Sequence, residues 1–412
     1  MTMAEVTCNG RSYRLPKRPT VVICLDGSEP GYIEAAIEAG VAPTFARFMR
    51  EGLHTHAESV IPSFTNPNNL SIITGRPPAV HGICGNFFYD PAAGAEVMMN
   101  DPVFLRAPTV LAAFYNAGAK VAMVTAKDKL RLLLSNGLDY ATGRAVAFSA
   151  ERADQATRAA NGIDGVLELV GKPVPDVYSA DLSEFVFASG VKLVERFRPD
   201  VMYLSTTDYI QHKVGPGTAI ANSFYGMIDG YLATLDRLGC TVLATADHGM
   251  NDKHLPDGSP DVIYLQTLFD EWLGKDVARV ILPITDPYVA HHGALGGFAT
   301  VHVPSGTPVP ELLSRLWDVD GIEMACAKDI ACQQFALPPD RIGDIVVLSE
   351  KHKVLGTSPE RHDLSGLDEP LRSHGGLSEQ RVPMIANRRA STPLPVPLRN
   401  FDAFEVALNR LE

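Results

Sequence analysis

The chain has 412 residues, 46% of them hydrophobic and 20% charged, and a formal net charge of -12. That length leaves room for one large domain with an insertion or for two domains, and the mean hydropathy of +0.02 is that of an ordinary globular protein. The acidic balance argues against nucleic acid and membrane as partners; six scattered cysteines without a CxxC pair, no signal-peptide core and no membrane-length apolar run make cytoplasmic residence the expectation.

In chain order, short β-branched runs end at polar residues and alternate with helix-like stretches, the pattern of a parallel sheet between helices. Residues 20–25 end before Asp26, 120–125 before Lys127, 200–205 before Asp208 and 241–246 before Asp247. Ligands of open α/β sheets sit outside the carboxyl ends of the strands, so these four termini should meet at one edge. Between the first two runs lies Pro62-Ser63-Phe64-Thr65-Asn66-Pro67-Asn68-Asn69, ahead of a helix-like LSIITG. Pro67 suits the first helical turn, and Thr65 or Asn66 is expected to cap it. The N–H groups and dipole of such a helix start favour a phosphoryl oxyanion. After Gly249 the texture changes. Residues 251–370 read as a smaller α+β cap inserted into a core of 1–250 and 371–412. Its strands are expected at 280–285, 295–303, 321–326 and 344–349, and its helices at 310–318 and 328–335. The chain returns through Ser373-His374-Gly375-Gly376 to a last strand at 382–386.

Six N or O donors fall on these termini and loops: Asp26 in LDG, Asp208 and His212 at i, i+4, Asp247 and His248 in ADHG, and His374 in SHGG. The i, i+4 spacing puts Asp208 and His212 on one face if that stretch is helical. Mixed carboxylate and imidazole donors suit Zn²⁺ best, with Mn²⁺ or Fe²⁺ also compatible. Six donors exceed the needs of one tetrahedral ion, so two divalent ions are expected. A threonine hydroxyl such as that of Thr65 becomes a competent nucleophile beside such a cation. Singly, each feature has a structural alternative: a turn at Asp26, a surface helix pair at Asp208–His212, a cap at Thr65. Jointly and in this order they favour metal ligation. The remaining histidines read as surface or packing residues, with His291 and His292 placed in the cap, from where they could approach a substrate.

The series LDG, PSFTNPNN, HGICGN, D-x-x-x-H, ADHG and SHGG resembles the phosphodiesterase and nucleotide pyrophosphatase branch of the alkaline phosphatase superfamily, over residues 20–250 and 370–390. The resemblance implies an alkaline-phosphatase-like α/β core. It also implies one zinc on Asp26, Asp247, His248 and the nucleophile Thr65, and a second on Asp208, His212 and His374. Asn86 in HGICGN would donate to a phosphoryl oxygen. Within this branch, Thr125-Ala126-Lys127-Asp128-Lys129-Leu130 is similar to the lysine-bearing segment of the phosphonoacetate hydrolases, which implies that Lys127 and Lys129 grip a substrate carboxylate. Expelling a carbanion from phosphorus is feasible when its charge spreads into an adjacent carboxylate as an enolate.

The implied reaction is cleavage of the C–P bond of a small anionic phosphonate, phosphonoacetate, through phosphothreonine, with a homodimer as the assembly allowed for. A phosphodiesterase of the same superfamily is the alternative. A sulfatase is disfavoured because Thr65-Asn66-Pro67-Asn68-Asn69 stands where C/S-x-P-x-R would be needed. A cofactor-independent phosphoglycerate mutase is disfavoured by its expected serine and differently placed insertion. A binding module on a decayed scaffold should have lost donors that are all retained here.

Overall fold

The computed structural model describes residues 5–284, 294–367 and 369–412; Thr285, His291 and His292 lie outside the described residues. Seven strands form the central sheet in the spatial order Leu53–Glu58, Arg381–Ala386, Thr241–Thr245, Thr20–Cys24, Val201–Ser205, Val121–Thr125, Ala145–Ser149. The last five run parallel. They include the four runs expected from the sequence, each ending within a residue of its expected end.

Both faces of the sheet are covered, which is why these strands are unbroken apolar runs with no polar alternation. Along Thr20–Cys24, Val22 and Cys24 enter one apolar layer, whereas Val21 and Ile23 enter the other. The second layer is completed by helices Pro30–Glu38, Pro43–Glu51, Asp181–Arg196 and Ala219–Arg237. Helices Thr65–Thr74, Val110–Asn116 and Asp128–Leu134 pack on the first.

Two strands are antiparallel to their neighbours. Arg381–Ala386 is the last strand expected from the sequence. Leu53–Glu58 is the edge strand beyond it, and the sequence reading passed over it. Its sequence LHTHAE is only intermittently buried, as suits a strand with one edge open to water.

The inserted segment forms a four-stranded antiparallel sheet in the order Arg279–Ile281, Phe298–His302, Ile345–Ser349, Ile322–Ala327. Helices Val309–Trp317 and Lys328–Phe335 lie beside it. Where the segment leaves and returns, Asn251–Asp252 pairs antiparallel with Arg372–Ser373. Its apolar residues, Phe298 and Val347 among them, join the same buried cluster as Phe64 and Ile72, so it shares a core with the main sheet. No helix among the described residues is long and apolar enough to cross a membrane.

Candidate active site

Asp26 lies two residues past its strand, and its N–H donates to Thr206 Oγ1 at 2.9 Å. Gly27 follows with φ +68°; a Cβ there would stand 2.8 Å from Asp208 Cβ. Glycine thus lets the two carboxylate-bearing loops touch. Asp208 takes the N-cap position of the short helix Tyr209–Lys213, so His212 falls one turn along, and its Nε2 lies 2.9 Å from Asp208 Oδ2. His374 Nε2 reaches the same oxygen at 3.7 Å, and His248 Nε2 lies 3.3 Å from Asp26 Oδ1.

Thr65 is the first residue of its helix, and the N-cap position belongs to Phe64, with no side-chain cap. The expectation that Thr65 or Asn66 caps the helix is therefore corrected. The Thr65 hydroxyl faces His248 Nε2 at 3.3 Å instead.

The three histidines share one orientation. His212 Nδ1 meets the Arg372 carbonyl at 2.8 Å, His248 Nδ1 that of Gly249 at 2.9 Å, and His374 Nδ1 that of Ser63 at 2.7 Å. A carbonyl only accepts, so each Nδ1 carries the proton, and in the neutral ring Nε2 presents a lone pair. Those lone pairs are aimed at carboxylate oxygens, acceptor against acceptor, which calls for a cation between them. Asp26 Oδ1 is buried without a hydrogen-bond partner.

The ligand atoms of Asp208, His212 and His374 lie within 4.8 Å of one another, as do those of Asp26, Asp208 and His248. Asp208 belongs to both sets. Asp247 is held just outside them: its Oδ1 accepts from the N–H groups of Gly27 at 3.2 Å and His248 at 3.0 Å, and its Oδ2 lies 3.8 Å from His248 Nε2.

The charges agree with this geometry. Burial raises Asp26 well above the usual carboxylate range, and the nearby Asp208 and Asp247 push the same way. Burial pulls His248 down, but the carboxylates of Asp247 and Asp26 outweigh it and raise it to about 10, so this Nε2 holds either a proton or a metal cation against Asp26. Three buried carboxylates at one point call for positive charge, and divalent cations supply it. The residues present therefore fit divalent metal.

A cavity of about 70 Å³ opens on this cluster. Asp26, Asp208, His212, His374 and Thr65 are among the residues that line it, together with Asn86, Lys127 and Lys129. Lys127 occupies the N-cap position of helix Asp128–Leu134 and Lys129 its first turn, because that helix starts where the parallel strand Val121–Thr125 ends. Asp247 and His248 are fully buried, with His248 in contact with Thr65.

Sequence reasoning missed the supports. Buried Arg372 donates Nε–H to the Gln211 carbonyl at 2.8 Å and pairs with Asp252, while its own carbonyl orients His212. Lys253 and Glu379, both wholly buried, form an ion pair at 3.1 Å. Glu379 also accepts from the Gly376 N–H at 2.9 Å, and its carbonyl receives the Gly249 N–H at 2.7 Å. Only their proximity to the SHGG and ADHG motifs could have pointed to them.

The family model of type I phosphodiesterase / nucleotide pyrophosphatase matches residues 20–377. The crystal structure of phosphonoacetate hydrolase from Sinorhizobium meliloti 1021, in complex with phosphonoformate or phosphonoacetate, superposes with a TM-score of 0.97 and 61% identity over 100% of both chains. Murine ectonucleotide pyrophosphatase / phosphodiesterase 5 shares the fold at TM-score 0.63 and 16% identity, over 96% of each chain. Among curated relatives, phosphonoacetate hydrolase of Penicillium oxalicum is 52% identical over 42 residues, 10% of this chain and 58% of that protein. Human ectonucleotide pyrophosphatase/phosphodiesterase family member 1 is 36% identical over 79 residues, 19% of this chain and only 8% of that protein. The chain belongs to the type I phosphodiesterase / nucleotide pyrophosphatase family, in its phosphonoacetate hydrolase branch.

Proposed function

We propose that the chain hydrolyses the C–P bond of phosphonoacetate to acetate and phosphate in the cytoplasm, with Thr65 as nucleophile and two divalent ions, Zn²⁺ by preference, as cofactor. The observation that carries this reading is one cavity in which Thr65 and the Asp/His cluster share walls with Lys127 and Lys129. A hydroxyl stands ready for phosphorus and two ammonium groups for a second anionic group. That suits a compact molecule with a phosphonate at one end and a carboxylate at the other. The 61% identity to the Sinorhizobium enzyme supports the same substrate class.

Asp26, Asp247, His248 and Thr65 would hold one ion and Asp208, His212 and His374 the other. When bound, such ions supply Lewis acidity to the phosphoryl oxygens and to the attacking hydroxyl. Thr65 Oγ1 attacks phosphorus from the first turn of its helix, where the N–H groups of Thr65 and Asn66 have no intrahelical acceptors and are available to the phosphoryl oxygens. Asn86 adds a carboxamide donor. As the C–P bond breaks, its electron pair passes into the carboxymethyl group as an enolate stabilised by Lys127 and Lys129. The Thr65 hydroxyl proton leaves to solvent on attack, a proton from solvent completes acetate, and water then releases phosphate from phosphothreonine and returns a proton to Thr65 Oγ1. Residues 251–370 act as a cap over a core of 1–250 and 371–412, and bring Ile284 to the cavity wall.

Phosphate release from phosphonoacetate, a nitrophenyl phosphodiester and phosphoglycerate, measured side by side, tests the reading. Phosphonoacetate should be hydrolysed with the highest kcat/KM. A preference for the diester would replace this function with phosphodiester hydrolysis.

A further inference from the structure

We infer that Asn69 is a positioning residue that aims Asp247 at the metal cluster and ties the Thr65 helix to it, an inference resting on the metal reading above. Asn69 lies one helical turn after Thr65 and is fully buried. Its carboxamide oxygen accepts from two hydroxyls, Tyr203 Oη and Ser205 Oγ, each at 2.8 Å. A carboxamide oxygen has two lone pairs, so these donors saturate it and fix which way the amide points. The NH₂ group must then face the other side, where it donates to Asp247 Oδ2 at 3.0 Å and to the Thr65 carbonyl at 3.2 Å. Every hydrogen-bonding valence of the side chain is used.

The consequence falls on Asp247. Its Oδ1 is held by the backbone N–H groups of Gly27 and His248, and Oδ2 by Asn69. Three donors on one carboxylate fix its plane and rotation, and losing such an outer contact around a metal site typically costs about ten- to a hundredfold in metal affinity. Tyr203 and Ser205 belong to strand Val201–Ser205, which adjoins Thr20–Cys24 in the sheet. Asn69 therefore registers three elements against one another: the sheet, the helix bearing Thr65 and the loop bearing Asp247 and His248. An acceptor in its place would set two carboxylate-type oxygens against each other in a buried site.

Titrating the full, metal-stripped chain with Zn²⁺ alone, by calorimetry and with the unfolding temperature recorded alongside, tests this role. Asn69→Asp keeps the side-chain shape and an oxygen for Tyr203 and Ser205, but turns an acceptor toward Asp247. One zinc affinity should fall roughly ten- to a hundredfold while the other is unchanged, and kcat should fall with KM retained. Wild-type affinity for both ions would overturn the inference, whatever happened to the unfolding temperature. If Asn69→Asp does not fold, the double variant Tyr203→Phe with Ser205→Ala frees the amide to flip and should lose affinity at the same ion; unchanged affinity there overturns the inference equally. Asp247→Asn separates the two readings. If it binds both ions normally, the metal assignment has failed; if it loses one ion and Asn69→Asp does not, only the role of Asn69 has.

Discussion

The imidazoles of His248 and His374 stack face to face, with centroids 3.6 Å apart and planes 5° from parallel. One ring comes from the loop after strand Thr241–Thr245 and the other from the chain's return after the inserted segment. Each offers its Nε2 to a different donor set, and Asp208 is common to both sets. Elemental analysis should therefore find two divalent ions per chain. Asp208→Asn should lose the ion it holds with His212 and His374 and weaken the other, whereas His212→Ala should lose only the first. Full activity in exhaustively chelated protein with no bound metal would end the two-ion reading.

Thr65→Ala should cut turnover by several orders of magnitude, since it removes the nucleophile. The unfolding temperature should barely move, because the hydroxyl makes no capping hydrogen bond. A cap, by contrast, would cost about 1 kcal/mol when removed. Rapid quenching followed by peptide mass spectrometry should find phosphate on Thr65 in the wild type. Near-normal rates in the alanine variant would transfer the attack to water.

Lys127→Ala and Lys129→Ala should each reduce kcat/KM for phosphonoacetate by about ten- to a hundredfold, the scale of one lost charge-assisted contact. A nitrophenyl phosphate ester, whose leaving group needs no carboxylate clamp, should be hydrolysed at close to the normal rate. Equal losses on both substrates would make the lysines general electrostatic contributors and raise the phosphodiesterase reading.

Much of this arrangement was legible in the sequence because its parts obey local rules. Four buried parallel strands announce themselves as apolar runs, and the donors at their ends follow from where such sheets bind ligands. The Asp208–His212 spacing survives because a short helix does form there. Local rules fail where partners come from distant segments. Nothing near Lys253 shows that it will be buried against Glu379, and nothing near Asn69 names Tyr203 and Ser205 as its donors. The edge strand Leu53–Glu58 escaped for a related reason: half in water, it carries histidines where an inner strand carries valines.

Lys253 and Glu379 allow a stability prediction free of the reaction. Burial alone would raise the Glu379 carboxyl, but Lys253 and the hydrogen bonds from Asn251 and Ser378 hold it below its ordinary value. Lys253→Met leaves the carboxylate buried without its counter-charge, at a cost of about 3–5 kcal/mol. Lys253→Met with Glu379→Gln should recover part of that loss. Chemical denaturation of the three proteins decides the matter; a single variant as stable as wild type would show that the pair is not coupled.

His81 gives a pH signature separable from the metal cluster. The Ile83 N–H donates to its Nδ1 at 3.1 Å, so the ring proton sits on Nε2, which donates to Ser71 Oγ at 2.9 Å. Burial, with Arg341 adding to it, lowers this imidazole from 6.5 to about 3. Between those two values an unfolded chain binds a proton that the folded chain refuses, so stability falls as the pH drops below 6.5. The slope is about 1.4 kcal/mol for each pH unit. His81→Gln retains an acceptor for Ile83 and a donor for Ser71 but cannot titrate, so its stability curve should lose this component. Measured by urea unfolding at several pH values, wild type should therefore lose stability relative to the variant as the pH falls toward 4. Parallel curves across that range would mean that His81 does not remain neutral in the folded protein, and that the acid sensitivity of the fold lies elsewhere.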